Sequence, residues 1–347
     1  MRDSQRQAAR WMRNTLIVLM ALVMTGCAQV RQMMYKTTGD VMVMYAQEVQ
    51  VPYVLTTQDV DMNCGMSQAL TPLLMSFGQV RGEPNKLGVM VYGSAGICAE
   101  ARAREEGLRY LRAIKAQDPN EAEDALAAQK RWHVLAAERN YTAYKHLVAA
   151  FGEPGGECPA LKEDFDQLIY LMGLLSGLQA LNNEIASTTS VGVPKNVAAK
   201  AERAAGCLDD KKWWGAPMAL KATVWALLPG ATPKGEDPWL RLENAAKIGE
   251  RKRVRLAHVF WALAAQSQGK TDVVKDVIRR HAKAKHKKMA KPKYRFVDEL
   301  ATSLLLAISD EMWTEATGHR TPAGAFGTFW DDQKAPPAET VDLDDLL

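Results

Sequence analysis

The sequence predicts an all-α protein, a single domain built as a degenerate helical-repeat array. Three observations support this fold class. Residues with high helix propensity (Ala, Leu, Met, Glu, Lys and Arg) dominate, and runs of β-branched residues are short. Apolar residues recur at helical spacing over long segments. Gly and Pro fall at intervals rather than in clusters, as expected for helices joined by brief turns.

The first 26 residues are predicted to be a bacterial lipoprotein signal peptide. Four arginines between residues 2 and 13 form a basic region, residues 15–23 are apolar, and Met24-Thr25-Gly26-Cys27 resembles a lipobox. The apolar stretch is shorter than the roughly 20 residues that span a bilayer, which argues against an uncleaved anchor. Cys27 is the predicted lipidation site. Ala28, rather than Asp, follows it, which favours the periplasmic face of the outer membrane.

Residues 27–58 are predicted to be a tether and lead-in helix, and residues 59–317 the helical-repeat domain. The first strong helix covers residues 59–80, with Pro72 expected to kink or restart it. After a turn at residues 82–85, an apolar helix (87–103) and a charged amphipathic helix (104–116) are expected.

The next predicted helix, residues 121–151, ends at a Gly- and Pro-rich loop (152–156). Residues 165–185 are apolar almost all round, which predicts a buried helix. Pro194 and Pro217 suit the first turns of two shorter helices that follow. The remaining predicted helices are residues 194–208, 217–228, 240–248, 254–268, 271–285 and 295–312.

The last segment, residues 318–347, is rich in Gly and Pro and then acidic. It contains the C-terminal run Asp342-Leu343-Asp344-Asp345. Such a composition gives few apolar groups to bury, so the tail is predicted to be mostly disordered.

Net charge gives no support for nucleic-acid binding. The predicted signal carries four arginines and one aspartate, which is +3 of the formal +4, and the rest of the chain is therefore about +1.

The cysteines fit an oxidising compartment. Apart from Cys27 there are four, Cys64, Cys98, Cys158 and Cys207, with no CxxC pair and no zinc spacing. Three pairings are possible, and four free thiols are the alternative. Pairing Cys64 with Cys98 and Cys158 with Cys207 is favoured, because each pair would join neighbouring antiparallel helices.

One segment has the spacing of a tetratricopeptide (TPR) repeat. Gly107, Leu111, Ile114 and Pro119 follow the small, large, apolar and proline order of its second helix. Several other segments share features with one protein family. They are residues 69–74 (Ala-Leu-Thr-Pro-Leu-Leu), 83–85 (Glu-Pro-Asn), 197–210 with its Leu-Asp-Asp turn, 215–218 (Gly-Ala-Pro-Met), 227–229 (Leu-Leu-Pro), 242–246 and 255–268. Together these segments are similar to the T component of tripartite ATP-independent periplasmic (TRAP) transporters, the TatT family of lipoproteins.

This resemblance, over residues 59–313, implies a membrane-tethered, TPR-like protein that associates with the transporter's periplasmic solute-binding protein. It also implies that a homotrimer with an internal cavity can form. The sequence departs from the family pattern in three places. Met218 stands where the family has histidine, residues 121–151 are longer, and the acidic tail is extra.

No enzyme motif is present: the sequence has no HExxH, GxSxG, P-loop or placed GxGxxG. The six histidines have no ligand spacing, so neither catalysis, a metal nor a cofactor is predicted. They are His133, His146, His258, His281, His286 and His319.

Two features could serve binding. Five tryptophans could line a ligand cleft or belong to the core: Trp213, Trp214, Trp225, Trp239 and Trp261. A basic run at residues 279–293 could meet anionic headgroups or an acidic partner, could be a solvated helix face, or could hold the folded-back acidic tail.

The predicted function is a non-catalytic, lipid-anchored accessory that docks a solute-binding protein. The rival is a structural envelope lipoprotein that scaffolds another assembly.

Overall fold

Local sequence signals start and stop the helices. The carboxylates of Asp59, Asp118 and Asp237 accept hydrogen bonds from the backbone N–H groups of the helices that follow them. Pro119 and Pro238 occupy first-turn positions, where the missing N–H costs nothing. Gly152 and Gly318 take positive φ angles just after long helices, a conformation that glycine adopts without strain.

These signals produce an all-α, single-domain protein with no strand in the described part of the chain. The structure is a computed structural model and describes residues 2–80, 82 and 84–332. The helices are α1 (Arg2–Tyr45), α2 (Val51–Thr56), α3 (Val60–Ser76), α4 (Asn85–Lys115), α5 (Pro119–Phe151), α6 (Asp164–Ser187), α7 (Val197–Ala205), α8 (Ala216–Leu227), α9 (Pro238–Lys252), α10 (Leu256–Ser267), α11 (Thr271–Lys287) and α12 (Arg295–Thr317). A π-helical turn (Ala46–Gln50) joins α1 to α2, and 3-10 turns (Phe77–Gln79 and Pro292–Tyr294) follow α3 and precede α12.

The predicted boundary between residues 103 and 104 is wrong, because α4 runs unbroken through it. No Gly, Pro or cap lies there, and Arg104 forms an (i, i+4) ion pair with Glu100 across the junction. The predicted restart at Pro72 is also absent, because α3 continues through that residue to Ser76.

Close approach of α4 and α5 depends on glycines. A Cβ added at Gly88, Gly96 or Gly107 would lie within 2.7 Å of His146, Asn140 or Gln129, respectively. Along these three contacts the residue number rises on α4 as it falls on α5, so the two helices are antiparallel and in constant register. From α3 to α12, each helix packs against the next one in the chain, and this agrees with a helical-repeat arrangement. A TPR-type repeat stays a prediction.

Both favoured disulfides are confirmed. Cys64 on α3 is bonded to Cys98 on α4, and Cys158 before α6 is bonded to Cys207 just after α7. The Cα atoms are 5.5 Å apart in each pair, which is within the usual range.

Half of the predicted disordered tail is ordered. Residues 318–332 form turns on the surface of α11 and α12, and Phe329 is buried there. Asp331 Oδ2 lies 2.5 Å from Lys275 Nζ, and Asp332 Oδ1 lies 2.6 Å from Arg279 Nη2. The tail therefore folds back on α11, through apolar as well as acidic residues. Residues 333–347, with the terminal acidic run, lie outside the described residues.

Residues 2–26 of the predicted signal peptide and residues 27–45 of the predicted tether form one helix, α1, which contains the Cys27 backbone, whereas residues 46–56 of the tether form the π-helical turn and α2. The side chain of Cys27 lies outside the described part of the structure, so its lipidation stays a prediction. Of the described residues, no helix combines the length and the apolar character needed to cross a membrane.

Candidate functional site

Trp213 and Trp214 are core residues rather than the lining of a cleft. Both are almost completely buried, and their rings pack edge to face with centroids 5.4 Å apart. Tyr294 packs edge to face against Trp214, and Trp213 Nε1 donates to Gln167 Oε1 at 3.0 Å. These contacts join the loop before α8 to α6 and to the turn before α12.

The other three tryptophans are half-buried around α8, α9 and α10. Trp225 Nε1 donates to Glu202 Oε1 at 2.9 Å, Arg280 lies over the Trp261 ring, and Lys270 lies over the Trp239 ring. They pack against a small cluster of buried Ala and Leu side chains. None of the five tryptophans lines either of the grooves described next.

A charged groove of about 540 Å³ lies where α4 ends and α5 begins. We call it the α4–α5 groove. Its lining residues are Glu105, Glu106, Arg109, Arg112, Ala113, Ala116, Asp118 and Glu121.

Arg109 organises this groove. Its guanidinium contacts Glu106 at 3.0 Å, Glu121 at 2.5 Å and Asp124 at 2.6 Å. The hydrogen bonds that Arg109 donates to these carboxylates, above all to Glu121, raise the pKa of Arg109, and the bond to Glu121 lowers the pKa of that carboxyl. Arg109 and Glu121 therefore both stay charged at neutral pH, and the groove has more carboxylates than guanidinium groups in its lining.

A second groove, of about 290 Å³, lies between α10, α11 and α12. We call it the α12 groove. It is lined by Gln266, Gly269, Thr271, Val274, Glu311, Met312, Glu315, Ala316 and Trp330.

Lys115 brings the two grooves side by side. From the last turn of α4, its Nζ donates to the main-chain oxygen of Ala316 at 2.8 Å and to that of Glu315 at 3.3 Å. A cation near these carbonyls stabilises the C-terminus of α12. Arg320 Nη1 adds a hydrogen bond of 3.0 Å to Glu105 Oε1. The two grooves therefore adjoin, and carboxylates outnumber basic groups in the lining of each.

A chain of buried hydrogen bonds links α9, α10, α11 and α12. His258 Nε2 lies 3.1 Å from Glu250 Oε1, His258 Nδ1 lies 3.1 Å from His281 Nδ1, and His281 Nε2 lies 3.1 Å from Thr302 Oγ1. Both imidazoles are fully buried. Burial lowers the pKa of His258 and, further, that of His281, so both are neutral at pH 7.

Glu250 fixes the proton positions in this chain. Burial acts to raise its pKa, but hydrogen bonds from His258 and Arg280 outweigh burial and lower the pKa to about 2. An ionised carboxylate accepts only, so His258 carries its proton on Nε2 and His281 donates from Nδ1. His281 Nε2 is then an acceptor facing Thr302 Oγ1, whose single proton also has the main-chain oxygen of Asp298 within reach at 2.9 Å.

Arg255 and Asp298 form a fully buried ion pair beside the histidines. Arg255 Nη1 lies 2.6 Å from Asp298 Oδ2, and the Arg255 backbone N–H donates to Asp298 Oδ1 at 2.8 Å. The guanidinium also donates to the carbonyl oxygens of Ala284 and Lys288. These bonds hold the start of α10 against α12 and the end of α11.

The basic run at residues 279–293 is therefore divided. His281 is buried in the hydrogen-bonded chain, Arg280 contacts Glu250, Lys285 contacts Glu299 at 2.5 Å, and Arg279 contacts the tail. Only part of it, including Lys283 and residues 286–289, is an exposed helix end.

Sequence reasoning missed a second buried carboxylate, Glu100 in the middle of α4. Asn140 and Asn183 donate to its Oε1 at 3.0 and 2.7 Å, and Gln179 and Arg104 donate to its Oε2 at 3.0 and 3.2 Å. Burial raises the pKa of Glu100 despite these bonds. The three amide residues lie on α5 and α6, so no local motif signals the site.

The described part of the chain contains no group of three His, Cys, Asp or Glu side chains suited to hold a metal ion. Comparisons with protein families, curated proteins and solved structures found no significant match to this chain.

Proposed function

We propose that this protein is a lipid-anchored periplasmic accessory, held at the outer membrane through Cys27, that docks the solute-binding protein of a TRAP-type transport system without catalysing a reaction. The observation that carries the proposal is the pair of disulfides, Cys64–Cys98 and Cys158–Cys207, in a chain whose N-terminus resembles a lipoprotein signal. Disulfides persist in oxidising compartments such as the periplasm, which agrees with the predicted signal.

The adjoining α4–α5 and α12 grooves are the proposed docking surface. Both are open and charged, which suits a protein surface better than an enclosed small molecule. Their excess of carboxylates calls for a basic patch on the partner. A lipid anchor would raise the local concentration of that partner, so modest affinity would suffice.

The test is an affinity pull-down from the native envelope fraction, followed by mass spectrometry, with the wild type and with Cys27→Ala. Intact mass of the wild type reports acylation, and the Cys27→Ala chain should lack the acyl mass. We expect the wild type to recover a periplasmic solute-binding protein.

Two double variants locate the surface. Glu311→Lys with Glu315→Lys reverses two exposed charges in the α12 groove and should reduce recovery several-fold. Glu138→Lys with Glu157→Lys makes the same change at exposed positions outside both grooves and should leave recovery unchanged. Recovery of envelope-assembly or cell-wall proteins alone would contradict docking and support the rival scaffold.

A further inference from the structure

The segment after Cys27 has two apolar faces, and only one of them is covered. Gly39, Val43 and Ala46 are buried against the rest of the protein. A second set of apolar side chains is at least half exposed, from 50% at Met44 to 71% at Met33. This second set, the exposed stripe, consists of Val30, Met33, Met34, Val41, Met44 and Tyr45.

The exposed stripe is a continuous helical face. At about 100° per residue its members fall within an arc roughly 120° wide, and the buried residues fall on the opposite side of α1. Val49 and Tyr53, beyond the π-helical turn, extend the exposed apolar surface. Isolated exposed apolar residues are ordinary, but an apolar stripe of this length indicates a contact surface.

We infer that the exposed stripe of α1 lies in the interface of a phospholipid bilayer and holds the helical domain close to the membrane. This inference rests on the proposed lipid anchor. Val30 is only three residues from Cys27, about 4.5 Å along the helix, so the stripe begins where the acyl chains would enter the bilayer. It then continues for roughly 22 Å to Tyr45.

The composition of the segment fits this position. Tyr45 and Tyr53 are exposed, and tyrosine is enriched where an apolar body and a polar hydroxyl meet the headgroup layer. Arg31 and Lys36 lie on either side of the stripe, from where their long side chains can reach lipid phosphates. Arg31, Lys36 and Asp40 lie in the segment between Cys27 and Tyr45, and charged residues at such intervals are typical of helices that lie on a membrane rather than cross it.

Site-specific photocrosslinking in the native envelope tests the inference on the full chain. The photoreactive amino acid p-benzoylphenylalanine replaces Met44 in the stripe or, as the matched control, Met289, which is 77% exposed in the loop after α11. After irradiation, mass spectrometry of the labelled peptide measures lipid adducts. We expect several-fold more lipid adduct at position 44 than at position 289.

Three results would overturn the inference: equal lipid adducts at the two positions, a crosslink from position 44 to a second copy of the chain, or a crosslink to another protein. Acylation is read separately, from the intact mass of the unirradiated protein. An acylated chain without lipid adducts at position 44 leaves the proposed anchor standing and removes this inference. Lipid adducts at position 44 of a chain that is not acylated would remove the proposed anchor and leave the position of the exposed stripe standing.

Discussion

Both disulfides lie before residue 208, whereas the buried ion pair and the buried histidine pair lie after residue 250. We call residues 60–208 the disulfide region and residues 250–302 the ion-pair region. A disulfide acts mainly by restricting the unfolded chain and does not change with mild acid. A buried charge network acts in the folded state and depends on protonation. The two regions should therefore respond to different perturbations, although they share one domain.

The largest effect is expected from Arg255→Leu in the ion-pair region. It leaves the Asp298 carboxylate buried without its cation and two carbonyl oxygens without their donor. We expect the free energy of unfolding, measured by urea denaturation, to fall by about 3–5 kcal/mol. Arg279→Leu, which removes half-exposed ion pairs on α11, should cost less than about 1 kcal/mol. Equal losses of unfolding free energy in the two variants would show that the buried ion pair contributes no more to stability than the half-exposed ones.

Removal of the disulfide between Cys158 and Cys207 should lower the free energy of unfolding by about 2–4 kcal/mol, somewhat less than Arg255→Leu does. In the Cys158→Ser/Cys207→Ser variant, a loop of 49 residues is no longer closed in the unfolded chain. Native-state hydrogen exchange should show faster opening of α6 and α7 than of α10 and α12. If protection from hydrogen exchange fell to the same extent in both regions, the expected difference between them would be contradicted.

Glu100 tests whether a buried carboxylate in the disulfide region is held differently from Asp298 in the ion-pair region. Its partners are three neutral amides and one half-exposed arginine, so no buried cation is left unpaired when the charge is removed. Glu100→Gln places an NH₂ group among amide donors, and we expect a loss of about 1–3 kcal/mol in urea denaturation. Glu138→Gln, on the exposed side of α5, should stay within about 0.5 kcal/mol of the wild type. If Glu100→Gln lost as much unfolding free energy as Arg255→Leu, the two regions would not differ in how they hold a buried carboxylate.

The pH dependence should show the smallest effect. Burial lowers the pKa of His281 in the folded state, so below about pH 6.5 the unfolded chain binds more protons at this residue. Stability should therefore fall as pH falls from 6.5 towards 5, by at most about 1.4 kcal/mol per pH unit for each histidine. The raised pKa values of Glu100 and Asp298 act in the opposite direction, because the folded state then binds the extra proton.

A variant isolates the histidine contribution from these opposing carboxylates. His281→Gln should reduce the dependence of unfolding free energy on pH between 6.5 and 5. His286→Gln, an exposed histidine on the same helix, should leave the wild-type dependence unchanged. Identical pH profiles for all three proteins would place the acid sensitivity outside the ion-pair region.

Sequence reasoning was sufficient where the signal is local. Apolar periodicity and single Gly or Pro residues predicted most helices to within a few residues, for example α6 and α11. The disulfide pairing followed because consecutive helices are antiparallel neighbours, which brings Cys64 to Cys98 and Cys158 to Cys207.

The rest depends on tertiary contacts. His258 and His281 are 23 residues apart on different helices, and only the crossing of α10 and α11 brings their rings together. Glu100 lies in a segment with ordinary helical charges, and its burial follows from the way α5 and α6 cover α4. In the tail, Phe326, Phe329 and Trp330 were an available signal for packing, but the Gly- and Pro-rich composition around them indicated disorder.

The contact of Lys115 with the end of α12 joins residues that are 200 positions apart in the chain. An open superhelix of helix pairs can extend under load, because its two ends are free to separate. Further pairs can also be added to either end. Here the first long helix pair and the last helix meet, so a tensile load would have to break this closure before the helices could spread.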